Sequence, residues 1–163
     1  MTNKSDQQHL SPEKYIRTRA RNLPIGTCYI NENWKEAGEA FIAITRRHIT
    51  GNVTYGIFLV DLYYMGVKDV GYWFNQTPGE FAEFLKRFDT DSNPSGMHII
   101  EAEYNIVHNI IYGGVEFADE QGIEPHSDFQ VGQFLLEEDD ERIPIIDIEF
   151  GHNGQPLFIS SLE

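Results

Sequence analysis

The feature that most constrains the fold is a helical pattern over about residues 98–121, with two adjacent glycines near its middle. Gly122 follows directly and is suited to the position after a helix ends. Gly113 and Gly114 each cost about 1 kcal/mol relative to alanine inside a helix, so the pair predicts a kink or close backbone packing. Apolar residues recur along the segment at helical spacing: Ile99, Ile106, Ile110, Val115 and Phe117.

Capping and turn residues divide the rest of the chain. Ser11-Pro12-Glu13 predicts a helix over 11–22, and Thr77 with Glu80 predicts a capping box at the start of another. Short runs rich in β-branched and aromatic residues predict strands at 27–30, 40–45, 53–60 and 67–74, with a hairpin turn at Gly51-Asn52. The remaining expectations are a polar loop at 89–96, a helix from Asp128 to about 137, and a terminal hairpin of 143–150 with 156–160.

This order of elements predicts an α+β fold, a mainly antiparallel sheet with helices packed on one face. Residues 1–10 are polar and are expected to be a disordered tail, and 11–163 to be a single globular domain.

Charge is distributed unevenly along the 163 residues, whose net charge is -14. Residues 1–50 have 8 Lys/Arg and 5 Asp/Glu, and 51–163 have 4 and 21, so the two parts carry +3 and -17. A phosphate backbone would be repelled by most of the protein.

No apolar run is long enough to cross a membrane, and Cys28 is the only cysteine, which excludes an internal disulfide. The lone thiol and the polar N-terminus favour a cytoplasmic location.

The first candidate site is on the long predicted helix and just after it. Its imidazole and carboxylate groups could bind a divalent metal ion or perform general acid–base chemistry, although no recognised metal-binding spacing is present. The polar face of an amphipathic helix followed by a cap explains the same residues without a site. The candidates are His108 and Glu116 as catalytic groups, and Glu116, Asp119, His126 and Asp128 as metal ligands.

The second candidate site follows the apolar strand at 53–60. Asp61 ends this strand, and Lys68 and Asp69 come shortly afterwards, so the three could form one catalytic polar site. An ion pair or a turn at the strand end would place the same residues there.

The third candidate is a set of arginines that could hold phosphates or a protein partner. Intramolecular pairing with the acidic part of the chain is the simpler explanation, and nucleic-acid binding would be confined to residues 15–47. The set is Arg17, Arg19, Arg21, Arg46 and Arg47.

Two other features are expected to be structural. The acidic run 137–141 lacks the spacing of a calcium-binding loop and is expected to be a solvated or partner-facing edge. Cys28 has no catalytic signature around it and is expected to be buried.

Two segments, 59–69 (LVDLYYMGVKD) and 112–129 (YGGVEFADEQGIEPHSDF), resemble segments of a group of uncharacterised bacterial proteins. The resemblance extends over about residues 15–158. It implies a bacterial origin and implies no activity for this chain.

Three functions therefore remain in view. The first is an acidic intracellular accessory or regulatory protein that binds another protein, which the aromatic residues at 63–74 favour. The second is a metal-dependent hydrolase, for example a phosphodiesterase or nuclease, with a divalent metal ion as its cofactor. The third is a nucleic-acid-binding module that uses the N-terminal arginines.

Overall fold

The structure is a computed structural model that describes residues 10–90 and 96–158. Its main element is a five-stranded sheet. The strand order is β4-β3-β2-β1-β5, and every neighbouring pair is antiparallel. The strands are β1 (Cys28–Asn31), β2 (Glu39–Arg47), β3 (Val53–Asp61), β4 (Gly66–Gln76) and β5 (Ile99–Ala102).

Helices precede the first strand, lie in connections between strands and follow the last strand. They are α1 (Pro12–Arg19), α2 (Trp34–Ala37), α3 (Pro78–Lys86), α4 (Tyr104–Glu120) and α5 (Phe129–Gly132). Single 3₁₀ turns, Ala20–Asn22 and Gln133–Leu135, extend α1 and α5. The predicted α+β class with an antiparallel sheet is confirmed. No helix in the described part of the chain is long and apolar enough to cross a membrane.

The main core lies between one face of the sheet and α4. Phe58 and Val60 of β3 pack in one buried cluster with Val107 and Ile110 of α4. Next to it, α1 packs against the α5 region through a smaller cluster that contains Ile16. Burial of these side chains on one face is what the period-2 pattern of a strand permits.

The opposite face of the sheet is also covered, by α3. Phe81 packs against Tyr55 with ring centroids 4.6 Å apart, and Tyr55 stacks on Trp73 at 5.0 Å. The helices are thus distributed over both faces rather than one. Since β2 and β3 are interior strands of the sheet and are covered on both sides, they are buried along nearly their whole length.

The local capping signals act as predicted. The Ser11 hydroxyl accepts a hydrogen bond from the Lys14 backbone N–H at 3.1 Å. Thr77 and Glu80 form the reciprocal capping box at the start of α3. The turn around Gly51 joins β2 and β3 as a hairpin in continuous register from Glu39↔Asp61 to Arg47↔Val53.

The predicted start of the long helix was wrong. α4 begins at Tyr104, and Ile99–Ala102 instead form the edge strand β5, in which Ala102 pairs with Cys28 of β1. This short apolar segment fits a helix or a strand equally well by itself, and pairing with a distant strand decides between the two.

The predicted helix after Asp128 is shorter than expected. α5 has a single turn, the 3₁₀ turn ends at Leu135, and the Asp128 side chain makes no capping hydrogen bond.

The predicted terminal hairpin was also wrong within the described residues. Residues 143–150 form no strand and run alongside α4. Asn109 of α4 holds this segment, since its side chain donates to Pro144 O at 3.0 Å and accepts from Ile146 N at 3.1 Å. Burial alternates along residues 145–150 because every second side chain contacts α4. An alternating pattern in the sequence does not distinguish an extended segment packed on a helix from a paired β-strand. The expectations for 1–9, 91–95 and 159–160 lie outside the described residues.

The glycine pair of α4 allows close packing within a continuous helix. α4 is continuous, and a Cβ atom at Gly114 would lie 2.8 Å from Val60 Cγ1. The Gly114 carbonyl oxygen in turn lies against Gly66, whose φ is +66°, at the start of β4. The helix therefore rests directly on the β3–β4 turn.

This contact predicts that Gly66→Ala is strongly destabilising. The added methyl group meets the Gly114 backbone and also strains the left-handed conformation, so we expect a loss of about 2–4 kcal/mol in the free energy of unfolding. Urea denaturation measures it. Gly122→Ala is the matched control because Gly122 has φ +75° and open space around it, so only about 1 kcal/mol should be lost. Equal losses in the two variants would disprove the packing role.

Candidate functional site

A groove between α4 and the segment 139–150 includes the predicted site residue Glu116 in its lining. Its volume is about 910 Å³. We call it the acidic groove because its lining includes five carboxylates: Glu116, Asp139, Asp140, Glu141 and Asp147. Tyr112, Ile143 and Phe150 add apolar surface to the same lining.

A hydrogen-bond relay fixes one wall of the acidic groove. The Tyr104 hydroxyl lies 2.7 Å from the Glu137 backbone N–H that donates to it and 2.7 Å from His108 Nδ1. His108 Nε2 lies 3.0 Å from Asp139 Oδ1. Burial raises the pKa of Tyr104, and its hydroxyl is protonated at neutral pH. Since the Glu137 N–H already donates to this hydroxyl, we assign the hydroxyl proton to the hydrogen bond with His108 Nδ1. Nε2 is then the ring nitrogen that donates a hydrogen bond to Asp139, an assignment that follows from these partners.

The relay gives His108 a clear place in the structure. Its side chain is 1% exposed and both ring nitrogens are engaged, so neither is free to meet a substrate or a metal ion. The buried helix α4 is instead tied to the acidic run 137–141 that forms the groove wall.

Two arginines fasten the chain that leads into this wall. Arg46 is 1% exposed and donates to Leu135 O at 2.9 Å and to Leu23 O at 2.8 Å. Its third partner is Glu137, at 3.1 Å. Burial lowers the pKa of Arg46 and the Glu137 carboxylate opposes that shift. Arg21 donates to Leu136 O at 2.8 Å.

The predicted arginine cluster is thus divided among different roles. Arg21 and Arg46 are used inside the fold, and Arg17 pairs with Glu13 one helical turn away on α1. Arg19 lies at the end of α1 and Arg47 at the exposed end of β2. Ion pairs within the molecule therefore engage three of the five arginines, Arg17, Arg21 and Arg46.

Asp61, Lys68 and Asp69 each have a separate structural partner. Both Asp61 oxygens accept backbone N–H groups of the β3–β4 turn, from residues 63 and 65, at 2.9 and 3.1 Å. Lys68 forms an ion pair with Glu39. Asp69 accepts from the Val70 backbone N–H at 2.9 Å.

His126 lies between two carboxylates. Its Nε2 is 3.9 Å from Asp69 and its Nδ1 is 3.9 Å from Asp128, while Nδ1 accepts the Asp128 backbone N–H at 3.1 Å. The backbone N–H of His126 also donates to Val67 O, at 2.9 Å, which joins the loop to β4. Within residues 10–90 and 96–158, no three His, Cys, Asp or Glu side chains are arranged to hold a metal ion. Accordingly, the predicted ligands Glu116, Asp119, His126 and Asp128 do not form one coordination shell.

The sequence alone did not identify Tyr104 and Asp147 as parts of a site, and it indicated Asp139 only as one residue of the acidic run 137–141. The spacing of Tyr104 and His108, four residues apart on a helix, was a usable signal once the helix was assigned. The approach of Asp139 to His108 had no local signal, because 31 residues separate them.

Comparisons with models of protein families, with curated proteins and with solved structures find no match for this chain. The resemblance of the two segments to uncharacterised bacterial proteins therefore stays an expectation from the sequence.

The relay predicts that Tyr104→Phe destabilises the protein by about 1–3 kcal/mol, because the Glu137 N–H and His108 Nδ1 both lose their partner. Chemical denaturation measures this loss. Tyr112→Phe, on the same helix, is the control: its hydroxyl makes no hydrogen bond with any described residue, and its removal should change stability by less than about 0.5 kcal/mol. A Tyr104→Phe variant as stable as the control would contradict the relay.

Cys28 provides a second prediction. Its side chain is 2% exposed, and burial raises the pKa of the thiol to about 11. At pH 8 only about 0.1% of such a thiol is ionised, and the thiolate is the reactive form. We expect no reaction of the native protein with a disulfide reagent at this pH and stoichiometric reaction after denaturation. Rapid labelling of the native protein would show that Cys28 is accessible.

Proposed function

We propose that this protein is a small acidic intracellular accessory or regulatory protein, and that it binds a basic segment of a protein partner in the acidic groove. The observation that carries the proposal is the combination of five carboxylates and apolar side chains in one groove of about 910 Å³. A segment with alternating basic and apolar side chains matches both properties.

The charges of the groove support a cationic partner. Arg142 lies beside the groove and pairs with Asp140 through its guanidinium, with a shortest distance of 2.7 Å. It also approaches Glu138, at 3.7 Å. Glu116, Glu141 and Asp147 form no ion pair with any described residue. These three carboxylates are available to lysine or arginine side chains of a partner.

The rim of the groove supports a protein partner rather than a simple cation. Ile145 lies on the rim and is 94% exposed, although the residues on either side of it are held to α4 by Asn109. An exposed aliphatic side chain on a fixed backbone can contribute apolar area to an interface at little cost in conformational entropy.

The two other functions have less support. A metal-dependent hydrolase has no arranged ligand set in the described residues. A nucleic-acid-binding module would need the arginines of residues 15–47, of which Arg21 and Arg46 bond to backbone carbonyl groups of the protein itself.

The proposal predicts that a labelled peptide of alternating basic residues and leucine binds the protein, measured by fluorescence anisotropy at low and moderate salt. The variant Glu116→Gln/Glu141→Gln/Asp147→Asn should bind it about tenfold or more weakly, because three unpaired carboxylates are removed from the groove. A peptide with glutamate in place of the basic residues should not bind.

The control variant, Glu36→Gln/Glu83→Gln/Glu101→Gln, changes the net charge equally at exposed carboxylates outside the groove lining. It should weaken binding by less than about twofold, through long-range attraction alone. Equal losses in the two triple variants would refute the groove as the binding site, and absence of peptide binding would refute the proposed function.

A further inference from the structure

A second pocket lies on the other covered face of the sheet, between α3 and the strands β1, β2 and β5. Its volume is about 560 Å³, within the range of about 300–1,000 Å³ that small-molecule sites occupy. We call it the α3 pocket. Its apolar lining includes Tyr29, Val53, Phe81, Leu85 and Ile99.

The α3 pocket exists because α3 covers only part of this face. Phe84 of α3 packs on Trp73 of β4, with centroids 4.6 Å apart, so the helix leans toward the β3–β4 side. On the β1 side the contact is wider, with Tyr29 and Phe81 centroids 5.7 Å apart. The space between the helix and the β1–β5 side of the sheet is left open to a ligand.

Cationic side chains outnumber carboxylates in the lining of the α3 pocket, in contrast to the acidic groove. Arg47 and Lys86 line it, together with one carboxylate, Asp89. Arg47 is exposed and forms no ion pair with a described residue. Lys86 approaches Glu83 at 3.5 Å on the exposed side of α3. An unpaired arginine beside an apolar pocket, in a chain of net charge -14, favours an anionic ligand.

Hydroxyl groups add hydrogen-bonding capacity near the arginine. Thr27, Tyr29 and Thr45 all contribute to the lining. The Thr45 hydroxyl donates to Thr27 O at 2.8 Å, and a hydroxyl oxygen can also accept hydrogen bonds. The Tyr29 hydroxyl is protonated at neutral pH and interacts with the Thr27 side chain, and burial raises its pKa further.

We propose that the α3 pocket binds a small amphipathic carboxylate, with its apolar body between Phe81, Leu85 and Ile99 and its carboxylate paired with Arg47. A medium-chain fatty acid and an aromatic acid share this chemistry, and both fit the volume of the pocket. The site is independent of the acidic groove, which lies on α4 and takes the opposite charge.

Isothermal titration calorimetry of the full chain with decanoate, phenylbutyrate and decyltrimethylammonium tests the proposal. Decanoate or phenylbutyrate should bind with saturable, roughly equimolar stoichiometry, and the cation should bind at least tenfold more weakly. The acid that binds more tightly identifies the aliphatic or the aromatic source.

Two variants and one control locate the site. Arg47→Glu should weaken carboxylate binding at least tenfold. The control, Arg17→Glu, makes the same charge change on α1 and should leave carboxylate binding unchanged. Ala82→Phe places a ring in the pocket from an exposed position of α3 and should abolish binding. Circular dichroism confirms that each variant is folded. The proposal would be overturned if neither acid binds saturably, if the cation binds as tightly as the acids, or if folded Ala82→Phe binds the acids as tightly as the unmodified protein.

Discussion

The contact on which the rest of the structure depends is the close approach of α4 to the β3–β4 turn. It requires a glycine on each side: Gly114 on the helix and Gly66, with its positive φ, in the strand. At this distance Val107 and Ile110 fill the core against Phe58 and Val60. The position of α4 in turn fixes one wall of the acidic groove and the Tyr104–His108 relay.

Buried polar groups, rather than regular secondary structure, hold the other wall of the acidic groove. Beyond Leu135 the described chain forms neither helix nor strand. Arg46, Arg21 and the Tyr104 hydroxyl bond to backbone groups of residues 135–137, which lead into this wall. His108 and Asn109 of α4 then bond to the wall itself, at residues 139, 144 and 146. Such bonds are directional and are costly to leave unmade in a buried position, so they can fix a segment that has no ladder partner. Carboxylates that would otherwise repel one another are thereby held on one surface.

The two proposed sites have opposite charge and lie on opposite faces of the sheet. The acidic groove opens beside α4, and the α3 pocket opens beside α3 with Arg47 at its edge. Binding of a carboxylate on one face and of a basic peptide on the other need not compete. The interior strands β2 and β3 contribute buried side chains to the clusters on both faces.

Local chemistry in the sequence was enough to identify the caps at Ser11 and Thr77 and the β2–β3 hairpin at Gly51. It also indicated the polar face of α4 and the acidic run that lines the groove, and it left Gly113-Gly114 open between a kink and close packing. Tertiary contacts were needed to show the close packing, and to show that residues 99–102 are a strand and that 143–150 are not. The tertiary structure alone brought Asp139 to His108 and left Arg47 unpaired beside an apolar pocket. Capping and turn formation depend on residues within one or two turns of the chain, whereas strand pairing, relay contacts and pockets depend on residues that are distant in sequence.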